Sequence, residues 1–176
     1  MDAAAHYRHL LTLGRDEFLA SAAPAVLVRY RLRRTDLSVP SSKTLTFDQV
    51  LHETIDQSSI DGTVPSEATE MELFPLAKKV GASFRDRITI GRTENNDVVI
   101  ADPSVSRLHA YVRHANGWVV ADAGSKNGTW LGNEHLEPRR EVTLSPSAVI
   151  RFGDVHLTFY RSSDLFELFG GDHGGR

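Results

Sequence analysis

Three polar clusters in the second half of the 176-residue chain stand out. Gly91-Arg92 closes one apolar run, Ser106-Arg107-Leu108-His109 opens another, and Ser125-Lys126-Asn127-Gly128-Thr129 lies between two more. Polar side chains in loops on a rigid scaffold are where binding residues usually sit, so the chemistry on offer is recognition. It is not catalysis. Ser106 and His109 have no evident third member and no oxyanion donor. Gly124-Ser125-Lys126-Asn127-Gly128 is not a nucleophile elbow, because its serine is second and not third. There is no phosphate loop and no G-x-G-x-x-G after a strand. The chain has no cysteine, which excludes disulfides, thiolate zinc sites and cysteine nucleophiles. Its eight histidines are scattered; His6 and His9 share a helix face but read as solvated, with no ligand set around them. No catalytic residue, metal or cofactor is expected.

The charge balance narrows the partner. Twenty basic and 23 acidic side chains give a net charge of −3, which argues against a general nucleic-acid binder. Both signs are spread along the chain, with no basic arm and no acidic tail. A negatively charged partner would therefore be met by a few focused side chains and not by the overall field. Forty per cent hydrophobic residues and 24% charged ones are an ordinary globular balance. No apolar run approaches the ~18 residues of a membrane span. Met1-Asp2-Ala3 carries no basic segment followed by a long apolar run, so no secretory signal is read and the expected location is the cytoplasm.

The elements that must position these clusters are mostly strands. The first twenty or so residues predict helix, with Tyr7, Leu10, Leu11 and Phe18 near one face, Gly14 at a stop or bend and Pro24 closing the region. Residues 25–33 predict a strand, with the basic face Arg29, Arg31, Arg33 and Arg34 read as solvated. Residues 35–69 are rich in Ser, Thr and Asp; a capping pattern at Thr46-Phe47-Asp48-Gln49 predicts a short helix near 47–57, and 61–69 reads as a loop. From about residue 71 short runs rich in Val, Ile, Tyr, Trp and Phe alternate with turn signals such as Asn95-Asn96-Asp97, Asn116-Gly117, Asn127-Gly128 and Gly153-Asp154. That texture predicts an antiparallel sandwich or barrel. Ser163-Asp164 predicts the cap of a short helix to Phe169, ended by Gly170-Gly171.

Taken in order, Ile90-Gly91-Arg92, Asn96-Asp97, Ser106-Arg107-Leu108-His109 and Asp122 to Thr129 resemble the forkhead-associated (FHA) family, whose pattern is G-R, S-x-x-H and N-G. The match is clear over about 71–160, and Phe74-Pro75-Leu76 looks like the family's second strand. The resemblance implies an all-β, FHA-like antiparallel β-sandwich of about eleven strands with a short N-terminal helical extension, a helix-containing insertion and a short C-terminal helix. The implied division is 1–23 for the extension, 24–160 for the sandwich with an insertion at 35–69, and 161–176 for the short helix and a flexible tail.

The resemblance also implies a phosphothreonine-peptide site in the loops at one end. Phosphothreonine carries about −1.5 to −2 charge and three strong acceptors at pH 7. Arg92 is the candidate guanidinium for the phosphate, and Ser106 the candidate hydroxyl for a further oxygen. Asn127 stands where the family holds the peptide backbone with a carboxamide. Arg107 is open between a ligand contact and a solvated face. Lys126 replaces the family's usual hydroxyl with a flexible cation. Gly91, His109, Gly128 and Thr129 are read as scaffold at the site. A small pocket for the threonine methyl is implied, with no lining that the sequence names. Ser147-Ala148 stand where many members have Gly-Asp, far from the implied site.

The function these features imply is a non-catalytic phosphothreonine-peptide-binding signalling adaptor acting downstream of Ser/Thr protein kinases. Its partner would be a phosphorylated kinase or kinase substrate, with no nucleic acid and no membrane. The alternative is a phosphate-independent assembly module on the same scaffold. A variant of either has the 35–69 segment acting intramolecularly, since it holds Thr44, Thr46, Thr54, Thr63 and Thr69.

Overall fold

The computed structural model describes residues 3–32, 69–82 and 84–170. The chain divides into two compact units, one of residues 1–29 and 71–176, the other Tyr30–Glu70. Of the second unit only strand ends, residues 30–32 and 69–70, are described. The expected helix near 47–57, the turn at Asp61-Gly62, Arg33, Arg34 and the tail from Gly171 lie outside the described residues.

Eleven strands form two sheets among the described residues. They are β1 (Ala25–Leu32), β2 (Thr69–Pro75), β3 (Ile88–Gly91), β4 (Val98–Val99), β5 (Ala110–His114), β6 (Trp118–Asp122), β7 (Thr129–Leu131), β8 (Glu134–His135), β9 (Val142–Thr143), β10 (Val149–Phe152) and β11 (Val155–Arg161). One sheet has the order β2-β1-β11-β10-β7-β8 and the other β4-β3-β5-β6-β9. Alternation explains the layering. Leu27 pairs with Phe159, and Ile150 with Leu157, and all four side chains enter one core with Ile90 and Val112 of the facing sheet. Phe152 and Phe159 are fully buried there, and each large side chain contributes about 1.5–3 kcal/mol by leaving water.

One pairing departs from an antiparallel sandwich. β4 runs parallel to β3, with Ile90 opposite Val98 and Gly91 opposite Val99. The cause is Asp97, whose carboxylate accepts the Thr89 N–H at 2.8 Å and the Thr89 hydroxyl at 3.0 Å. Those bonds seat the start of β4 beside the start of β3, so both strands run the same way. Two further strand features were not foreseen. β2 begins at Thr69, inside the stretch read as loop, and β8 is a two-residue polar edge strand with no apolar alternation to announce it.

The N-terminal helical region is two helices, α1 (Ala3–Thr12) and α2 (Arg15–Ser21), separated at Gly14. A third, α3 (Ser162–Phe169), follows β11 directly. Its cap differs in detail from the expected one. Arg161 is the capping residue, and Asp164 reaches back to the Arg161 backbone N–H and guanidinium. The helices pack on one another, and α3 packs on β11. Phe18 is fully buried, with its ring 6.0 Å from Tyr7 and 5.4 Å from Phe166. The Tyr7 hydroxyl accepts the Ala23 N–H, and the Ser162 N–H donates to the Pro24 carbonyl, which ties the helices to the first and last strands of the sandwich. No helix of the described residues is long and apolar enough to cross a membrane.

The turn before β10 carries local strain. Ser147 has φ 61°, a left-handed conformation in a residue with a Cβ. That conformation costs an L-residue roughly 1–2 kcal/mol, against about 0.5–1 kcal/mol of extra chain entropy lost by a glycine. Relief of strain wins, so Ser147→Gly should stabilise the fold by about 0.5–1 kcal/mol. Urea unfolding monitored by tryptophan fluorescence reads this as a raised midpoint at unchanged slope. A lowered midpoint would contradict it.

Candidate functional site

The loops after β3, between β4 and β5, and between β6 and β7 meet at one end of the sandwich. Their geometry starts from Gly91. The Asn96 side-chain amide donates to the Arg107 carbonyl at 2.6 Å and to the Thr93 carbonyl at 2.8 Å. This cross-loop bond passes directly over Gly91, where a Cβ would fall on the Arg107 carbonyl oxygen and within 2.7 Å of Asn96 Nδ2. Glycine is required by close approach. The chain then leaves β3 at Arg92, whose backbone N–H donates to the Ser106 carbonyl at 2.9 Å. Arg92 and Ser106 are therefore fastened to each other through their backbones. The Arg92 guanidinium is exposed and makes a long contact with the Pro103 carbonyl, Nη1 to oxygen 3.4 Å.

His109 lies beneath this pair and is fully buried. Its Nδ1 accepts the Ser106 N–H at 2.9 Å, so Nε2 carries the ring hydrogen and donates it to the Gly128 carbonyl at 3.0 Å. Burial pushes the His109 imidazole below the ordinary histidine value, outweighing the Gly128 bond and the nearby Asp122 charge. The ring is neutral and joins two loops. Above it, the Ser106 hydroxyl oxygen accepts the Lys126 N–H at 3.0 Å. That bond uses the oxygen and leaves the hydroxyl hydrogen for another acceptor.

The third loop is folded around a carboxylate. Asp122 Oδ1 accepts the Gly124 and Ser125 N–H groups at 2.7 and 2.8 Å, while Oδ2 accepts the hydroxyls of Ser125 and Thr129 at 2.5 and 2.6 Å. Burial alone would raise the Asp122 carboxyl, but these bonds outweigh it and hold it below the usual carboxylate range. Gly128 adopts φ 83°, and a Cβ there would meet His135 Nε2 at 2.5 Å, so both conformation and space require glycine. Just before it, the exposed Asn127 side chain donates from Nδ2 to the Ser104 carbonyl at 2.8 Å.

These loops enclose an open depression of about 900 Å³. Arg92, Ser106, Arg107, Lys126 and Asn127 all line it; Gly91, His109, Gly128 and Thr129 lie behind its wall. The lining holds three cations and no carboxylate, in a chain whose net charge is −3. Charge of one sign gathered in a recess focuses a field on an incoming anion. The sequence reading missed Thr93, Ser104 and the half-exposed Leu108 as lining residues, and it missed Asn96 and Asp122 as the groups that shape two of the loops. The Asp122-Ala123-Gly124-Ser125 stretch does carry a signal, since an aspartate two and three residues before free N–H groups is a turn former. Among the described residues, no cluster of three His, Asp or Glu side chains could hold a metal.

The two-sheet fold defines a β-sandwich domain with a polar, cationic loop end. A family model for the FHA domain matches residues 88–153. The oxoglutarate dehydrogenase inhibitor of Corynebacterium diphtheriae is 35% identical over 106 residues, which cover 58% of this chain and 71% of that protein. The transcriptional regulatory protein EmbR of Mycobacterium tuberculosis is 36% identical over 87 residues, 49% of this chain and 20% of EmbR. A solved structure of Mycobacterium tuberculosis EmbR in complex with a low-affinity phosphopeptide aligns over 51% of this chain and 21% of that one, at 31% identity and a TM-score of 0.40. The chain belongs to the FHA-domain family. It spans most of the inhibitor's length and about a fifth of EmbR's.

The buried imidazole makes the site sensitive to acid. Because the folded-state value of His109 is lowered, its contribution to stability is complete above the ordinary histidine value of about 6.5. It is lost as pH falls below that, where the unfolded chain takes up a proton that the fold refuses. Asp97 and Asp122, with lowered values, lose their contributions only at lower pH, as it falls through their depressed folded-state range. Between about pH 6.5 and 5, the wild-type unfolding free energy should therefore decline more steeply than that of His109→Gln. Urea titrations across this window measure both slopes; equal slopes would mean that His109 is not held neutral.

Proposed function

We propose that this chain is a non-catalytic phosphothreonine-peptide-binding signalling adaptor. It acts in the cytoplasm, downstream of Ser/Thr protein kinases, on a phosphorylated kinase or kinase substrate. One observation carries the reading. Arg92, Ser106 and Asn127 face one depression, with the first two fastened by the Arg92 N–H to Ser106 carbonyl bond. Membership of the FHA family and the phosphopeptide bound to EmbR support it.

Each side chain has a role that its chemistry suits. The Arg92 guanidinium offers parallel N–H donors to phosphate oxygens, and its long contact to Pro103 is readily exchanged for a charged acceptor. The Ser106 hydroxyl donates its free hydrogen to a further oxygen. The Asn127 carboxamide exchanges the Ser104 carbonyl for the peptide backbone, offering both donor and acceptor. Arg107 and Lys126, both exposed, add attraction that reaches across about one Debye length, near 8–10 Å at physiological ionic strength. Bonds to an ionised group are worth about 1.5–3 kcal/mol each, so losing the guanidinium should be felt strongly.

Fluorescence polarisation with a degenerate phosphothreonine peptide library, with unphosphorylated and phosphoserine twins as controls, tests the proposal. Binding should need the phosphate, and Arg92→Ala should weaken it roughly 10- to 100-fold without lowering thermal stability. Arg92→Lys should recover only part of the loss, because an ammonium cannot make paired bonds. Binding of a partner that persists in Arg92→Ala would favour the phosphate-independent assembly module instead.

A further inference from the structure

Arg29 is part of the basic strand face read as solvated, yet its side chain is only 21% exposed. It is held between two carboxylates, Glu72 at 3.8 Å and Asp102 at 3.6 Å. Asp102 lies in the turn between β4 and β5, just behind the residues that line the depression. Its two oxygens face different ways. Oδ2 meets the Arg29 guanidinium, while Oδ1 accepts the Ser104 N–H at 3.0 Å and the Ser104 hydroxyl at 2.7 Å. The Asp102 carbonyl also accepts the Val105 N–H at 3.1 Å.

Ser104 passes this constraint on. Its carbonyl accepts the Asn127 side-chain amide at 2.8 Å, and its hydroxyl oxygen accepts the Asp154 N–H at 2.9 Å. Gly153 allows that approach, since a Cβ there would lie 2.5 Å from the Ser104 carbonyl oxygen. The preceding carbonyl, that of Pro103, is the one the Arg92 guanidinium reaches. Two consecutive carbonyls of one turn thus receive the two side chains assigned to the phosphate and to the peptide backbone.

We infer that Asp102 is a positioning residue for phosphopeptide recognition: by fixing Ser104 it sets where the Asn127 amide stands before the peptide arrives, and Arg29 on β1 steadies it from behind. The role rests on the phosphothreonine reading above. A side chain already held near its bound position avoids part of the ordering cost that binding otherwise incurs. A binding side chain is held to its productive geometry by the hydrogen bonds that support it from behind. The role is not shared by every polar residue near the site. Thr93, for example, bonds Asn95 and the Arg107 carbonyl and has no link to Asn127.

The test is a double-mutant cycle with a spectroscopic check. Affinity is measured for the best-binding phosphothreonine peptide of the library in wild type, Asp102→Ala, Asn127→Ala and the double variant. The Asn127 side-chain amide resonances are followed by NMR in the peptide-free proteins. Asp102→Ala should move those resonances and weaken binding roughly tenfold, yet cost little further in the Asn127→Ala background. Asp102→Asn keeps an acceptor for Ser104 and should retain most of the affinity, which loss of a structural charge alone would not allow. Independent, multiplying losses, or an Asn127 amide that does not move in Asp102→Ala, would overturn the inference. Should Asp102→Ala not fold, Arg29→Gln replaces it in the cycle, with coupling to Asn127 in support and independence against. If no library peptide binds wild type better than its unphosphorylated twin, the phosphothreonine reading falls and this role with it; independence in a wild type that does bind overturns the positioning role alone.

Discussion

A neutral imidazole holds together two of the three loops that enclose the depression. The β4–β5 and β6–β7 loops have no ladder of sheet hydrogen bonds between them, so their spacing depends on contacts made beneath the surface. His109 supplies these by accepting the Ser106 N–H and donating to the Gly128 carbonyl. A third imidazole contact, edge-on to Phe152 with ring centroids 5.5 Å apart, fixes the plane of the ring in the core. Few other side chains could do this. The position demands an acceptor and a donor on opposite edges of one small ring, without charge, inside a hydrophobic interior. Ser106 inherits its place from that ring, and Arg92 inherits its own from the Ser106 carbonyl.

Around this bridge, buried polar groups take over the work that sheet pairing does elsewhere. Asp122 satisfies four donors of the β6–β7 loop, and Asp97 gathers the Thr89 donors, the Lys79 N–H and the Lys78 ammonium. A lone buried carboxylate would be expensive to desolvate, but one that accepts several hydrogen bonds is stable and keeps a charged form. The Asn96 amide does the same service for the Arg107 and Thr93 carbonyls. The polar groups of the loop end are bonded among themselves, whereas Arg92, Lys126 and Asn127 stay outside that network or touch it by single bonds.

The sequence made some of this plain and hid the rest for identifiable reasons. Strands with apolar alternation and turn punctuation, such as β3, β5, β6, β10 and β11, were legible because local pattern and tertiary burial agree. β8 was not, because Glu134 and His135 are polar and exposed on an edge. The parallel course of β4 depends on Asp97 meeting Thr89, a contact between side chains that no periodicity records. Arg92, Ser106 and Asn127 were legible together through the resemblance to the FHA pattern, and all three line one depression. Asp102 was not, because half of its meaning lies in Arg29, far away in the chain and read as a solvent-facing charge. The general lesson is physical: short-range pattern reports which residues face a ligand, whereas long-range pairing decides where those residues are held.

The way the chain enters and leaves the sandwich has a mechanical consequence. β1 and β11 are antiparallel neighbours, with Ala25 opposite Arg161, and the Ser162 N–H bonds the Pro24 carbonyl. Entry and exit are therefore side by side. Tension applied through the two flanking segments would first strip α1, α2 and α3 from the edge. It would then open the β1–β11 ladder one rung at a time, from Ala25 and Arg161 inward, instead of shearing all rungs together. Peeling of this kind needs little force, and it begins at the strand ends, whereas the loops around the depression hang on a different set of bonds. A pull on the tethers would loosen the sheet before it disturbed the loop end.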